Sequence, residues 1–333
     1  MGCSCNCNCN KAIEKRVLGK SGIEVTGMGL GLWAVGGDAW GPTDDKDSLN
    51  AISTALDNGV NFFDTSDVYG KGHSEELLGQ AMKGKREKFI VATKIGWVNY
   101  NGKDNCTAYD TVDKLVAGVE SNLKRLNTDY IDVIQSHIFY REKTMEVFIE
   151  GFQKLQKDGK VRCYGVSTSD LEYLKIFNAN GKCSVLQIDY SVLNRTPEAD
   201  ILPYCQKEKI GVIIRGPLAM GILTGKFNAN SQFSDTDFRK NWQNDPGQKE
   251  VFLSDLEKVE KLKPLAKDRT LAQLALQFVL ANPAVSTVIP GGKNEKQVID
   301  NVSAAMLPPL TAKEMEEIGK ITPACGGRKI WPA

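Results

Sequence analysis

The 333-residue chain contains only two histidines, His73 and His137, and its formal net charge is only +1. A charge balance this close to neutral provides no overall attraction to nucleic acid or to an acidic membrane surface. No apolar run approaches the roughly 20 residues that a membrane-spanning helix requires. The first residues also lack the apolar stretch of a secretory or lipoprotein signal, so we expect a cytoplasmic protein with no membrane partner.

Paired cysteine spacings are absent from the body of the chain. Five of the nine cysteines are scattered between Cys106 and Cys325, which predicts reduced thiols. The other four alternate with Ser and Asn in the first residues: Cys3, Cys5, Cys7 and Cys9. These thiols suit a soft ion such as Zn²⁺ or Cu(I), although the CxC spacing differs from the CxxC of structural zinc sites.

Two other interpretations of this N-terminal segment stay open. Met1 and Gly2 before Cys3 suggest acylation, but Asn6 stands where that signal prefers Ser or Thr. A flexible tail without a catalytic role is the interpretation that we prefer. We therefore assign residues 1–16 to a Cys-rich tail and residues 17–333 to a single domain, with no metal site predicted in it.

Eight apolar, β-branched runs alternate with helical patterns after a short hairpin-like opening. The runs are MGLGLW, NFFDT, FIVATKIG, IDVIQSHI, VRCYGVST, VLQIDYSV, IGVIIRG and STVIPGG. Several of the helical segments between them begin at Ser, Thr, Asp or Asn and end near Gly or Asn, as capped helices do. Eight strand–helix units over roughly 250 residues predict an α/β protein with a (β/α)₈ TIM barrel.

A doubly wound sheet is the alternative fold, and it usually joins its first strand to a helix through a Gly-rich turn. Gly29, Gly31 and Ala34 match that GxGxxA motif, but the segment that follows has the composition of a loop. The context therefore favours the barrel. A second long polar segment, residues 227–250, follows the seventh run and is either a loop over the active site or a surface insertion.

Four residues at or just past the ends of these runs form a candidate catalytic group: Asp64, Tyr69, Lys94 and His137. Taken singly, a lysine or histidine after a strand is more often solvated or structural. Their joint placement on three successive strand ends favours proton transfer to a carbonyl oxygen at neutral pH. Tyr69 would be the general acid, with its pKa lowered by Lys94, while Asp64 anchors Lys94 and His137 orients the substrate.

These residues and several later motifs resemble the aldo-keto reductase family over residues 17–310. The motifs are DTSDVYGKGHSEELLG, GVSTSD, LQIDYSVLNR, RGPLAMGILTGKF and IPGGKNEKQVIDN, and the opening GLWAVGGDAWG is similar to the bacterial branch near the potassium-channel β-subunit-like reductases. The resemblance implies a barrel that binds a nicotinamide dinucleotide across its C-terminal face. It also implies hydride transfer to a carbonyl carbon while Tyr69 protonates the oxygen.

The resemblance assigns cofactor contacts by position. The nicotinamide end would involve Gly31, Leu32, Trp33, Asp64, Ser167, Gln187 and Arg215. The pyrophosphate segment would comprise Gly216, Pro217, Leu218, Gly221 and Lys226, and the adenosine end Gly291, Lys293, Gln297 and Asn301. The substrate pocket would include Trp33, Tyr69, Trp97, His137 and Phe139.

Lys293 bears on the choice of cofactor. Gly291 and Gly292 precede a helical pattern, so backbone amides and the positive helix end face an anion there. A lysine beside them suits a 2′-phosphate and favours NADPH over NADH, although it could equally be solvated.

Three positions depart from the family pattern. Arg215 stands where many members carry a tyrosine stacked on the nicotinamide, and a planar guanidinium can also stack. Thr168 replaces an asparagine, and Ile138-Phe139-Tyr140 replaces the commoner residues after the catalytic histidine, which changes the substrate mouth.

The leading functional hypothesis is an NADPH-dependent reductase of an aldehyde, a ketone or a sugar-derived carbonyl. One alternative is a cofactor-sensing regulatory subunit that serves a membrane partner. Another is a sugar-modifying enzyme that uses the cofactor transiently. The sequence leaves homo-oligomerisation, the physiological substrate and the direction of reaction open.

Overall fold

The eight apolar runs and the hairpin-like opening form ten strands in the computed structural model, which describes residues 12–37, 40–41, 43–96, 109–137 and 143–329. The strands are β1 Lys15–Val17, β2 Glu24–Thr26, β3 Leu30–Gly31, β4 Phe62–Asp64, β5 Ile90–Ile95, β6 Ile131–Ser136, β7 Val161–Ser167, β8 Val185–Asp189, β9 Gly211–Arg215 and β10 Val285–Val288. The cysteine tail and the predicted substrate residues Trp97 and Phe139 lie outside the described residues.

Strands β3 to β10 form one parallel sheet in sequence order, and β1 pairs with β2 as an antiparallel hairpin. The two edge strands of the sheet approach each other, with parallel bridges from Met28 to Val288 and from Gly31 to Gly291. This nearly closed sheet confirms the (β/α)₈ barrel and its N-terminal hairpin. It excludes the doubly wound alternative, and the GxGxxA segment leads into a single 3₁₀ turn, Trp33–Gly36, as its loop composition predicts.

The helices that the structure describes surround the barrel. They are α1 Asp45–Asp57, α2 His73–Met82, α3 Val112–Leu126, α4 Lys143–Lys157, α5 Leu171–Phe177, α6 Ile201–Glu208, α7 Asn241–Asn244, α8 Pro246–Ala266, α9 Leu271–Leu280, α10 Glu295–Ser303 and α11 Ala312–Ile321. The helices α7, α8 and α11 add to the eight predicted ones. None of the helices in the described ranges combines the length and apolar character that crossing a bilayer requires.

The predicted long loop after the seventh barrel strand is shorter than residues 227–250. Helix α7 lies within it, and α8 already begins at Pro246 because the Asp245 side chain accepts a hydrogen bond from the Gln248 amide. Aspartate at the N-cap followed by proline at the first helical position is a strong helix start. The remaining segment, residues 227–240, still lacks a strand.

Two layers of side chains fill the barrel interior. The lower layer is apolar and belongs to a buried cluster that includes Phe62, Ala92, Val133, Cys163, Val185 and Ile213. Leu18, Ile23 and Val25 of the hairpin join this cluster, so the hairpin closes the N-terminal end of the barrel. Side chains two residues apart on a strand point to the same face, so the residues at i+2 form the next layer toward the C-terminal end.

That upper layer is polar, and it forms the floor of the candidate site. Two residues beyond the apolar members lie Asp64, Lys94, Gln135, Gln187 and Arg215. Strand register brings them side by side, since Lys94 pairs with Gln135 and Ser167 pairs with Gln187. The parallel order of the strands therefore gathers these groups from distant parts of the sequence at one rim.

Candidate active site

Lys94 is the centre of the polar layer, and its side chain is fully buried. Its Nζ atom donates to Asp64 Oδ1 at 2.6 Å, to the Thr65 carbonyl oxygen at 2.9 Å and to Tyr69 Oη at 3.0 Å. An ammonium group has three hydrogens, so all of its donors are used. The three sequence-predicted residues Asp64, Tyr69 and Lys94 thus meet in one hydrogen-bonded cluster.

Gln187 completes the coordination of the Asp64 carboxylate. Its Nε2 atom donates to Asp64 Oδ2 at 2.8 Å, across the barrel from β8 to β4. Each carboxylate oxygen therefore accepts a strong hydrogen bond, which is what a buried charge requires. The buried Asp64–Lys94 pair holds the lysine nitrogen at a set position below Tyr69.

The protonation states in this cluster follow from burial and from the neighbouring charges. Burial alone would lower the pKa of Lys94, but Asp64 and Tyr69 outweigh it and raise that pKa. For Tyr69, burial is the largest effect and raises the pKa, although the ammonium of Lys94 opposes it as the sequence predicts. The net lowering of the Tyr69 pKa that we expected is therefore absent in the structure, and Tyr69 is a protonated phenol at neutral pH.

His137 lies directly after β6 and beside Tyr69, with 5.8 Å between the two ring centroids in an edge-to-face arrangement. Its Nδ1 atom lies 2.9 Å from the Ser66 hydroxyl. Burial, followed by the positive charges of Lys94 and Arg215, lowers the pKa of His137 well below its usual value. The imidazole is therefore neutral at physiological pH, and it acts through hydrogen bonds rather than charge.

Aromatic rings cover one side of the cluster. Trp33 stacks on Tyr69 with 6.0 Å between centroids and on Phe238 with 5.8 Å. Trp40 contacts both Trp33 and Phe238 edge-to-face. Because Phe238 belongs to the segment after β9, that segment lies over the site, in line with the functional interpretation of the polar loop.

A cavity of about 550 Å³ opens beside these groups at the C-terminal rim. Its lining includes the predicted residues Gly31, Trp33, Asp64, Tyr69, His137, Ser167, Gln187, Arg215, Gly216, Pro217, Leu218, Gly221, Lys226, Gly291, Lys293, Gln297 and Asn301. Leu32 lies elsewhere, since its side chain is fully buried in the hydrophobic core. Lys94 lies beneath the cavity floor and reaches it only through Tyr69 and Asp64.

Sequence reasoning missed Arg239, which also lines the cavity. Its guanidinium forms a two-point ion pair with Asp237, at 2.8 and 2.5 Å, and lies 4.9 Å from the Trp40 ring centroid. The one signal available in the sequence was a basic pair inside a polar loop, and such pairs are usually solvated. Only the folding of this loop over the rim brings Arg239 to the cavity.

Lys226, Arg239 and Lys293 form a cationic cluster in the cavity. Burial and the charge of Arg239 lower the pKa of both lysines. The Lys293 ammonium donates to the Trp40 carbonyl oxygen and so links the two loops. A phosphate group placed among these cations would relieve their mutual repulsion, so the residues present fit a phosphorylated dinucleotide.

The start of α10 is more occupied than the sequence suggests. The Lys293 amide donates to Gln297 Oε1 at 2.9 Å, and the Gln297 amide donates to the Asn294 side chain at 3.1 Å. Two amides near this helix start are therefore already paired within the protein. These two amides are therefore not free to bind an anion at this end of the cavity.

Two of the three unusual positions have a clear place in the structure. Arg215 lines the cavity at the end of β9, and its Nη2 atom lies 3.4 Å from the Ser169 hydroxyl. Thr168 is buried, and its hydroxyl accepts a hydrogen bond from the Asp170 amide at 3.1 Å, so it shapes the turn before α5. The third position, residues 138–140, lies outside the described ranges.

Fold and site together define the class of protein. It is an eight-stranded parallel barrel that carries a buried Lys–Asp–Tyr cluster at its C-terminal rim. The sequence pattern of the Aldo/keto reductase family matches residues 27–323. The chain belongs to this family and is an oxidoreductase of the aldo/keto reductase type.

Individual relatives support this placement. The chain is 36% identical over 294 residues to "Aldo-keto reductase YhdN" of Bacillus subtilis, covering 86% of this chain and 87% of that protein. It is 31% identical over 319 residues to a "Probable voltage-gated potassium channel subunit beta" of Arabidopsis thaliana, covering 91% and 95%. Among solved structures it is similar to the holo form of aldo-keto reductase AKR11C1 from Bacillus halodurans, with a TM-score of 0.77, 30% identity and coverage of 94% and 97%.

Proposed function

We propose that the protein is a cytoplasmic, NADPH-dependent reductase that converts an aldehyde, a ketone or a sugar-derived carbonyl to the alcohol. The observation that carries this proposal is the position of Lys94 Nζ, 2.6 Å from Asp64 Oδ1 and 3.0 Å from Tyr69 Oη. This arrangement places a phenolic proton beside an ammonium ion that can stabilise the phenolate left after proton transfer.

The reaction needs a hydride at the carbonyl carbon and a proton at the carbonyl oxygen. When bound, the reduced nicotinamide supplies the hydride. Tyr69 donates its phenolic proton to the oxygen, and Lys94 stabilises the resulting phenolate. Asp64 keeps the ammonium of Lys94 in place, and a proton from solvent restores the phenol.

His137 would hold the substrate oxygen by a hydrogen bond. A neutral imidazole can donate a hydrogen bond to the carbonyl oxygen without adding a further positive charge beside Lys94 and Arg215. The aromatic surface of Trp33 supplies apolar contact for the rest of the substrate.

The cationic cluster supports NADPH rather than NADH. Lys226, Arg239 and Lys293 would hold the phosphates, and Gln187 and Ser167, which also line the cavity, would hold the carboxamide of the nicotinamide. Arg239 adds a second cation beside Lys293 and so strengthens the preference for a 2′-phosphate that Lys293 suggests in the sequence.

The test is NADPH oxidation, followed at about 340 nm where the reduced nicotinamide absorbs, against a panel of aldehydes, ketones, quinones and sugars. Tyr69→Phe should reduce turnover by orders of magnitude while NADPH binding, measured by fluorescence, stays nearly unchanged. Near-normal turnover in Tyr69→Phe would contradict the general-acid role.

A second candidate function is a cofactor-sensing regulatory subunit of a membrane partner. The similarity to the Arabidopsis potassium channel subunit supports it. Tight NADPH binding without turnover on any carbonyl would favour this candidate or a sugar-modifying enzyme that uses the cofactor transiently. Retained cofactor with no net oxidation would point to the transient use.

A further inference from the structure

The hydroxyl of Ser66 lies between two titratable groups. Its Oγ atom is 2.9 Å from Asp67 Oδ1 and 2.9 Å from His137 Nδ1. Ser66 is fully buried and follows Asp64 by two residues, at the point where the chain leaves β4. A hydroxyl carries one hydrogen, so Ser66 can donate to the carboxyl or to the imidazole but never to both.

The charge of Asp67 decides which bond the hydroxyl makes. An ionised carboxylate can only accept, so Ser66 donates to Asp67 and accepts from a hydrogen on His137 Nδ1. A protonated Asp67 donates to Ser66 instead, and Ser66 then donates to a bare Nδ1. The neutral imidazole carries one ring hydrogen, which lies on Nδ1 in the first state and on Nε2 in the second.

We propose that Ser66 and Asp67 are positioning residues that set the ring tautomer of His137, and so decide whether Nε2 presents a hydrogen to the oxygen of a carbonyl substrate. The change takes up one proton from solvent at Asp67. His137 loses a hydrogen at Nδ1, gains one at Nε2 and stays neutral. This inference rests on the proposed function only where it names a carbonyl substrate, because the tautomer of His137 exists without substrate.

The surroundings of Asp67 bring its titration close to neutral pH. Burial raises the pKa of Asp67 to about 7, against hydrogen bonds from Ser66 and from the amides of Gly96 and Val68. Arg125 of α3 also lowers this pKa, and Glu75 of α2 and Tyr109 before α3 feel the charge of Asp67 in turn. Both charge states of Asp67 are therefore populated in the physiological range.

Other charged groups face His137 itself. Lys94 of β5 and Arg215 of β9 act with burial to lower the pKa of the ring, so neither charge state of Asp67 turns the imidazole into a cation near neutral pH. The proton on Asp67 consequently changes where the ring hydrogen lies rather than how many the ring carries.

The kinetic consequence has a definite sign. Only a hydrogen on Nε2 can be donated to a carbonyl oxygen, and that state requires a protonated Asp67. The kcat/KM for carbonyl reduction should therefore fall by about tenfold per pH unit above a pKa near 7. Titration of Tyr69 does not account for this fall in kcat/KM, because burial raises the pKa of Tyr69 above the ordinary value for tyrosine.

Nuclear magnetic resonance of the ring nitrogens tests the tautomer directly, on the full chain with uniform ¹⁵N labelling. The chain has only two histidines, and His73→Gln leaves His137 as the sole source of imidazole nitrogen signals. We expect the hydrogen to move from Nδ1 at about pH 9 to Nε2 at about pH 6. A tautomer that stays the same over this range would overturn the inference.

Variants separate the two acids that titrate near neutrality. Asp67→Asn should keep the hydrogen on Nε2 at all pH values, because its carbonyl can accept from the Gly96 and Val68 amides while its NH₂ donates to Ser66. It should then reduce carbonyls at least about tenfold faster than the wild type at about pH 9. Glu75→Gln is the control, since the pKa of Glu75 is also raised to about 7 by burial.

Ser66→Ala removes the connecting oxygen and should abolish the pH limb at a lower overall rate; if it fails to fold, Asp67→Asn alone decides. A limb that persists in Asp67→Asn, or that disappears only in Glu75→Gln, would overturn the inference. A pH-dependent tautomer in a protein that reduces no carbonyl would support the coupling and contradict the proposed function instead.

Discussion

The ammonium of Lys94 lies 3.0 Å from the phenolic oxygen of Tyr69, although the two residues are 25 positions apart in the chain. The Asp64 carboxylate accepts a hydrogen bond from the same ammonium, on the other side of the lysine. One lysine thus balances a buried negative charge and also contacts the phenolic oxygen of the proposed general acid. Its removal should therefore affect stability and catalysis separately.

Lys94→Met should destabilise the fold by about 3–5 kcal/mol, because it leaves the Asp64 carboxylate buried without its charge partner. Turnover should fall by orders of magnitude, since the cation that contacts the phenolic oxygen of Tyr69 is then lost. Urea unfolding measures the first effect and NADPH oxidation the second. A Lys94→Met protein as stable as the wild type would show that the pair contributes no net stability.

The double variant Asp64→Asn, Lys94→Met is the matched control. It removes both charges together, and the carbonyl oxygen of the new amide can still accept the Gln187 hydrogen bond, so most of the lost stability should return. Turnover should not return with it. Recovery of turnover in the double variant would mean that the ammonium is dispensable for catalysis.

Removal of Arg239 or of Lys293 should weaken the binding of NADPH more than that of NADH. We expect Arg239→Ala and Lys293→Ala each to raise the Kd for NADPH by about tenfold, the equivalent of about 1.4 kcal/mol. Fluorescence titration with both cofactors measures this. Lys240→Ala is the control, because Lys240 is adjacent in sequence but pairs with Asp235 and does not line the cavity. An equal loss for both cofactors would remove the 2′-phosphate argument.

Gly36→Ala should disturb Tyr69 through backbone contact. A Cβ atom at Gly36 would lie 2.6 Å from the Gly70 nitrogen and 2.7 Å from the Tyr69 carbonyl carbon. The chain must move apart there, and a shift of about 1 Å at a catalytic group can lower turnover by about a hundredfold. The expected destabilisation is only about 1–3 kcal/mol.

Gly319→Ala is the matched control for that substitution. Gly319 lies in α11, where the nearest atom to a new Cβ is 4.0 Å away. It should leave kcat unchanged and raise the unfolding free energy by up to about 1 kcal/mol through helix propensity. If Gly36→Ala also kept full kcat, the close approach of the two loops would not determine the position of Tyr69.

His73 should contribute a small, pH-dependent stability that His73→Gln removes. Its hydrogen bond with Asp45 at 2.8 Å, and to a lesser extent its contact with Glu76, raise the pKa of His73 above its ordinary value. The folded state then binds the proton more tightly, so this stability is present below about pH 6.5 and is lost as the pH rises through the folded-state pKa. Solvent screening limits it to within about 0.5 kcal/mol. Thermal unfolding from about pH 5 to 8 would show converging curves for the two proteins, and a gap that widened with pH would contradict the expected sign.

The amino-acid sequence by itself determined the barrel and most of the candidate catalytic rim. The eight apolar runs became its eight strands because buried parallel strands require continuous β-branched segments. Asp64, Tyr69, Lys94 and His137 could be expected to meet because the carboxyl ends of parallel strands share one rim. The same period-two spacing that places Asp64 above Phe62 would also have identified Gln135, two residues beyond Val133.

Only the tertiary structure decided which loops complete the site and how its groups titrate. Phe238 and Arg239 stack on Trp33 and Trp40 from a distant part of the sequence, and local patterns carry no information about such contacts. The net rise in the pKa of Tyr69 depends on burial exceeding the effect of Lys94, which is a property of the packed barrel. Strand positions follow from local periodicity, whereas loop contacts and desolvation exist only after distant segments have packed together.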